Sequence, residues 1–103
     1  MDFFYVYILQ CNDRSYYIGS TDDIHRRLDE HIQPVKKESN AFSYVAERLP
    51  FKLVFVEEFE RREDAQEAER RLKGWPRKKK EALINSGWEA VPGVTKKGAF
   101  TQF

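Results

Sequence analysis

The chain has 103 residues, 41% of them apolar and 15% aromatic, which is enough for one modest core and too little for two domains. Eighteen basic residues face 17 acidic ones, and the net charge of +1 excludes a global attraction to nucleic acid or anionic membrane, so such attraction must come from local patches. The single cysteine, Cys11, excludes an internal disulfide and fits a reducing compartment. The apolar run from Phe3 to Leu9 is too short for a membrane span and lacks the basic start and cleavage site of an export signal. The expectation is a cytoplasmic protein with no membrane role.

Phe3 to Leu9 is dense in aromatic and β-branched residues, which predicts a strand. Its apolar character throughout predicts cover on both faces, as for a central strand. Asn12-Asp13-Arg14-Ser15 carries turn chemistry, and Tyr16 to Gly19 returns as the second strand of a hairpin. The hydroxyls of Ser20 and Thr21 and the carboxylates of Asp22 and Asp23 suit a helix start. A helix is predicted from Asp22 to Ile32, with Ile24, Leu28 and Ile32 as its buried stripe and Pro34 as its stop. Residues 35–50 read as a polar connection anchored by Tyr44 and Leu49.

Phe51 to Phe59 predicts a third strand. Arg62 to Lys73 predicts a second amphipathic helix, with Ala65, Ala68 and Leu72 inward and Gly74-Trp75-Pro76 as the break. Lys78 to Ser86 predicts a third helix, ended by Gly87. The order β-β-α-β-α-α implies an α+β fold: a small three-stranded, mainly antiparallel sheet flanked by helices. Residues 1–88 form the expected domain, and residues 89–103 the expected flexible tail.

Candidate chemistry begins with Tyr7 and Tyr17, on adjacent predicted strands. Two strand tyrosines are usually core packing. A phenol titrates near ~10 and is a poor base at neutral pH, unless cations stabilise the phenolate or its proton passes on. Arg27 borders the predicted buried stripe of its helix. It is either a solvated surface residue or a bidentate clamp on a phosphate. Arg26 is the adjacent alternative on another face, and His31 lies one turn beyond Arg27 on the same side. Glu69 borders the apolar stripe of the second helix. There it can meet a hard cation such as Mg²⁺, which accepts one protein carboxylate plus waters and substrate phosphate. Glu63 and Glu67 project elsewhere.

Arg70, Lys73, Lys78, Lys79 and Lys80 concentrate positive charge late in the chain, as a phosphate-tracking patch or as helix–dipole matching. Trp75 beside them is either a base-stacking platform or a packed corner. The sequence has no Cys/His metal cluster, phosphate-binding glycine loop or dinucleotide-binding pattern.

In order and spacing, Tyr5-Val6-Tyr7, Tyr17-Ile18-Gly19-Ser20-Thr21, Arg26-Arg27-Leu28 with His31, and Glu69-Arg70-Arg71-Leu72-Lys73-Gly74-Trp75 resemble the GIY-YIG nuclease domain. The likeness is to its small single-domain bacterial members, related to the nuclease domain of the excision-repair endonuclease and to intron-encoded homing endonucleases. It spans roughly residues 3–86. It implies the same three-stranded sheet and the hydrolysis of phosphodiesters with one divalent ion, Mg²⁺ or Mn²⁺. Tyr7 and Tyr17 match the tyrosines of the two motifs, and family members differ over which is the general base. Arg27 matches the phosphate-steadying arginine, His31 a recurring helix histidine, and Glu69 the sole metal-binding carboxylate.

Tyr5 replaces the first motif's glycine. Ser20 stands where some repair members carry a lysine, and Asn85 is the nearest counterpart of a late asparagine in larger members. No DNA-recognition domain is attached, so DNA binding is expected to be weak and unselective, with specificity supplied by a partner protein. The expected function is a metal-dependent endonuclease acting on DNA in repair or recombination. The alternative is a non-catalytic nucleic-acid-binding or partner-recruiting module that keeps the fold. Convergence of Tyr7, Tyr17, Arg27 and Glu69 on one surface is what the catalytic reading requires.

Overall fold

Strand β1, Phe4–Gln10, is the apolar run of the N-terminus, and it occupies the centre of the sheet in the computed structural model, which describes residues 3–32 and 44–91. Its neighbours are β2, Tyr16–Thr21, and β3, Lys52–Phe59, both antiparallel to it in the order β2-β1-β3. A central strand has no solvent face, and Val6, Tyr7, Ile8 and Leu9 are all fully buried. The helices are α1, Ile24–Ile32, α2, Arg62–Lys73, and α3, Arg77–Ser86, followed by a 3₁₀ turn, Trp88–Ala90. Residues 44–46 are also helical.

Pleating sends alternate residues of β1 to opposite faces. Val6 and Ile8 join Ile18, Phe59, Ala65, Ala68, Leu72, Leu83 and Val91 in a dry core under α2 and α3. Tyr7 and Leu9 pack with Cys11 and Val45 on the other face, where Tyr17, Ile24, Leu28, Tyr44 and Phe51 close over them. The pairing of β1 with β3 shifts register between Ile8 and Leu9. In the hairpin turn, the Asp13 carboxylate accepts from both the backbone N–H and the hydroxyl of Ser15, at 3.0 and 2.6 Å, while Arg14 adopts a left-handed φ of 70°.

The three-stranded sheet and the order of its elements agree with the sequence expectation, and α2 has the predicted bounds with Ala65, Ala68 and Leu72 buried. Several details differ. Helix α1 starts at Ile24, not Asp22, because Asp23 is its cap: the Asp23 carboxylate accepts the Arg26 N–H at 3.0 Å, and its carbonyl accepts the Arg27 N–H at 3.0 Å. Ile32 is 50% exposed, and His31 is buried in its place. Residues 24, 27, 28 and 31 share one helical face, and 32 is rotated off it.

Leu49 is largely exposed, and Val45 is the buried anchor of its segment. Packing also extends past residue 88, since Val91 is buried in the core that Trp88 packs against. The predicted stop at Pro34 and the tail from residue 92 onward lie outside the described residues. Gly87 ends α3 at a φ of 82° and ψ of −174°, a conformation open almost only to glycine.

The dry core is predicted to carry the stability. Leu83 is fully buried, so Leu83→Ala should lower the unfolding free energy by about 2–5 kcal/mol. Leu53, at 41% exposure on β3, should lose under about 1 kcal/mol on the same change. Urea denaturation of the two variants measures both values.

Candidate active site at the edge of the sheet

Tyr7 lies opposite Gly19 in the β1–β2 register, and its phenol crosses over that glycine toward the edge strand. A methyl group at position 19 would stand 2.5 Å from the Tyr7 hydroxyl and 2.7 Å from Cζ. Gly19 is therefore a glycine because a ring occupies the space where its side chain would be. The sequence suggested only a close approach of backbone there.

Beyond Gly19 the Tyr7 hydroxyl meets His31 Nε2 at 2.9 Å, and both residues are fully buried. The Tyr17 ring completes a cluster, with its centroid 6.3 Å from Tyr7 and 5.2 Å from the imidazole in an edge-on arrangement. Tyr17 keeps some exposure. Burial pushes the Tyr7 phenol well above its ordinary range; neighbouring Tyr17 adds to the rise, and a hydrogen bond and charge from Arg27 oppose it. Tyr17 is raised by burial and by the Glu69 carboxylate, against Arg27. His31 is lowered to about 4 by burial and then by the Arg27 charge, so the imidazole is neutral at physiological pH. Neither phenol is ionised there. What the cluster offers is a neutral phenol bonded to a neutral imidazole.

Ser20 organises the other half. Arg27 reaches from α1 to donate from Nη1 to the Ser20 carbonyl at 3.2 Å, and its Nε donates to Glu30 at 3.2 Å. The Ser20 hydroxyl donates to Glu69 Oε1 at 2.5 Å. One residue of the edge strand thus fixes a guanidinium from one face and a carboxylate from the other. Tyr7, Tyr17, Arg27, His31 and Glu69 come together around β2. The sequence marked Ser20 as a hydroxyl before a helix start and as a departure from a lysine, and neither reading gave it the role of joining Arg27 to Glu69.

The expected nucleic-acid contacts divide. Lys73 joins the site, its Nζ 2.8 Å from Glu69 Oε2. Arg26 is turned outward, 3.1 Å from Asp22 and 3.7 Å from Glu30. Arg70 is held by Glu67, which also takes Arg71 at 2.7 Å, so one carboxylate is shared by two guanidinium groups within the helix. Lys79 sits 4.2 Å over the Trp75 ring, and Trp75 packs edge-on to Trp88 at 6.4 Å. That contact favours the packed-corner reading of Trp75. Lys78 and Lys80 form no ion pair among the described residues, and Asn85 is exposed. A small pocket of about 120 Å³ beside Arg27 is lined by Ser20, Asp22, Arg62 and Gln66. It adds Arg62, unanticipated from sequence, as a second cation.

The donor set fits one kind of ion. No group of three or more His, Cys, Asp or Glu side chains stands together among the described residues, which rules against an all-protein cage of the zinc type. A single carboxylate with 22% side-chain exposure, its oxygens against the Ser20 hydroxyl and Lys73, suits a hard cation that keeps its waters and takes substrate oxygens. No helix among the described residues is long and apolar enough to cross a membrane.

Residues 3–82 match the model of the GIY-YIG catalytic domain. The chain is 40% identical over 81 residues to a UPF0213 protein of Streptococcus pneumoniae, covering 79% of this chain and 77% of that one. It is 37% identical over 86 residues to the UPF0213 protein HQ_3675A of Haloquadratum walsbyi, covering 84% and 91%. The fold is similar to the solution NMR structure of the UPF0213 protein BH0048 from Bacillus halodurans, with a TM-score of 0.52 and 33% identity over 90% of this chain and 99% of that one.

Two outcomes follow from the ring cluster. Gly19→Ala should cost about 1–3 kcal/mol, because the added methyl must displace the Tyr7 phenol, and near-ultraviolet circular dichroism should report the altered tyrosine packing. His31 has a folded pKa below its unfolded value, so its contribution is intact above about 6.5. It is lost as pH falls toward about 4, by roughly 3 kcal/mol in total. Urea midpoints measured from pH 7 to pH 4 should fall less steeply for His31→Gln than for the parent chain.

Proposed function

Because the chain belongs to the GIY-YIG family of catalytic domains, which implies a nuclease, we propose that it is a divalent-metal-dependent endonuclease that hydrolyses phosphodiester bonds in DNA. One observation carries the reading: a neutral phenol–imidazole pair, a guanidinium and a carboxylate meet at the edge of one strand through Gly19 and Ser20. Each matches a separate demand of phosphoryl transfer.

In this reading Arg27 binds two nonbridging oxygens of the scissile phosphate and stabilises the charge that builds on them. Water attacks phosphorus. Its proton passes to the Tyr7 oxygen while the Tyr7 proton passes to the lone pair on His31 Nε2, with the imidazole hydrogen on Nδ1. The bond from phosphorus to the leaving oxygen breaks, and solvent protonates that oxygen. The relay avoids a free phenolate, which burial makes costly. When the substrate's anionic phosphate takes up the Arg27 charge, one of the two causes that depress His31 is removed, and the imidazole becomes a better acceptor.

Glu69 would hold the divalent ion, which supplies Lewis-acid polarisation of the phosphate and support for the leaving oxygen. Ser20 fixes the Glu69 carboxylate, and Tyr17 presents the more exposed phenol to the substrate side. In the same reading the protein acts in DNA repair or recombination in the cytoplasm, with a partner protein supplying substrate specificity.

Supercoiled plasmid nicking with Mg²⁺ or Mn²⁺ is the direct test. Arg27→Ala and Glu69→Gln should each lower the rate by about 10²–10³-fold. Tyr7→Phe should lower it by about 10²–10⁴-fold with the fold retained by circular dichroism. Full activity in the Glu69→Gln protein would remove the metal assignment, and full activity in Tyr7→Phe would remove the relay.

A further inference from the structure

A second, larger cavity of about 620 Å³ opens at the hairpin end of the sheet, lined in part by Gln10, Arg14, Phe51, Lys52, Arg77 and Glu81. None of the residues proposed for the reaction lines it, and its size suits a nucleotide unit. Its lining includes cations that no ion pair holds among the described residues. Arg26, Arg70, Arg71 and Lys73 are all held in ion pairs. Arg14 and Lys52 form none among the described residues, and both are exposed. Arg77 is fixed in place, with its guanidinium 4.4 Å over the Tyr16 ring and its Nε 2.9 Å from Glu81. Three cations against one carboxylate leave the lining positive, and Arg77 begins the basic run that continues through Lys78, Lys79 and Lys80.

Phe51 ties the cavity to the candidate site. The same ring that walls the cavity packs edge-on to His31, with centroids 6.3 Å apart. Arg27 is held at Ser20, which pairs with Val6, and Gln10 is four residues beyond Val6 along β1, about 13 Å at the rise of a strand. A polymer whose phosphate rests on Arg27 must span at least that distance to reach this cavity.

We propose that the cavity is a second phosphate-binding site, which holds a flanking phosphate of the nucleic-acid strand on Arg14, Lys52 and Arg77 and rests its sugar or base against Phe51. The proposal rests on the nuclease reading for the identity of its ligand but not on catalysis. It makes the hairpin turn a substrate-holding element.

Fluorescence anisotropy with labelled oligonucleotides, in chelator so that no cleavage intervenes, tests it across a series of salt concentrations. Arg14→Asn tolerates the left-handed backbone, and Lys52→Gln is an exposed strand change, so the double variant keeps the fold. Two lost phosphate contacts should flatten the slope of log affinity against log salt by roughly 1.4–1.8, and Arg14→Lys with Lys52→Arg should restore it. Arg61→Gln removes an exposed charge elsewhere and should leave the slope nearly unchanged.

An unchanged slope in the first double variant, or an equal change in the control, overturns the proposal. So does a free mononucleotide that binds the parent chain as tightly as the oligonucleotide does, which would make the cavity a small-molecule site. Plasmid nicking is scored separately. No cleavage with any metal, together with the expected slope change, would remove the nuclease reading and support the cavity.

Discussion

The phenol of Tyr7 lying across Gly19 is the constraint on which the candidate site depends. A side chain from the central strand can reach past the edge strand only where that strand has no side chain of its own. Once there, its hydroxyl meets His31, and the fully buried imidazole gains a partner for its Nε2. Helix α1 is then held in rotation by a polar contact, which brings Arg27, one turn earlier, toward the Ser20 carbonyl. A position with no side chain thus sets the pose of a tyrosine, a histidine and an arginine.

The sheet separates two kinds of packing. Under α2 and α3 the contacts are aliphatic and depend on volume. On the opposite face they are rings and hydrogen bonds that depend on direction. The candidate site straddles the edge where these meet. Ser20 is the joint, since its hydroxyl points to α2 and Glu69 while its carbonyl serves α1 and Arg27. The result agrees with the likeness to the GIY-YIG catalytic domain, whose match runs across both layers from residue 3 to residue 82.

Most of the fold was legible because its signals are local. The apolar run of β1, the alanine and leucine stripe of α2 and the glycine after α3 each state their own structure. What sequence could not supply were facts that exist only between elements. Ile32 continues the hydrophobic spacing of α1, yet His31 takes the interior, where a phenol from another strand meets its Nε2. Val45 rather than Leu49 anchors its segment, for the same kind of reason: the choice is made by the cavity that the sheet presents. The bringing together of Tyr7, Tyr17, Arg27, His31 and Glu69 agreed with an ordered motif, but Ser20 was invisible as an organiser. Its two bonds run to residues seven and 49 positions away. Charge was least legible. Arg70 and Lys73 count equally in composition, but one is held by Glu67 and the other lies against Glu69.

The strand order carries a consequence for motion. β1 gives fully buried residues to both packed layers, and its partner β2 gives Ile18 to one and Tyr17 to the other, so the β1–β2 hairpin is where a disturbance in one layer meets the other. The aliphatic layer depends on filled volume and loses stability when a side chain is shortened. The ring layer loses its contacts outright when their angles change. Breathing of α3 against the sheet should therefore exchange amide hydrogens at its own pace, while the ring layer opens as one unit with the β1–β2 hairpin. Thermal fluctuation of the larger core is partitioned from the atoms arranged at the edge, and a small domain gains a quiet region beside a more yielding one.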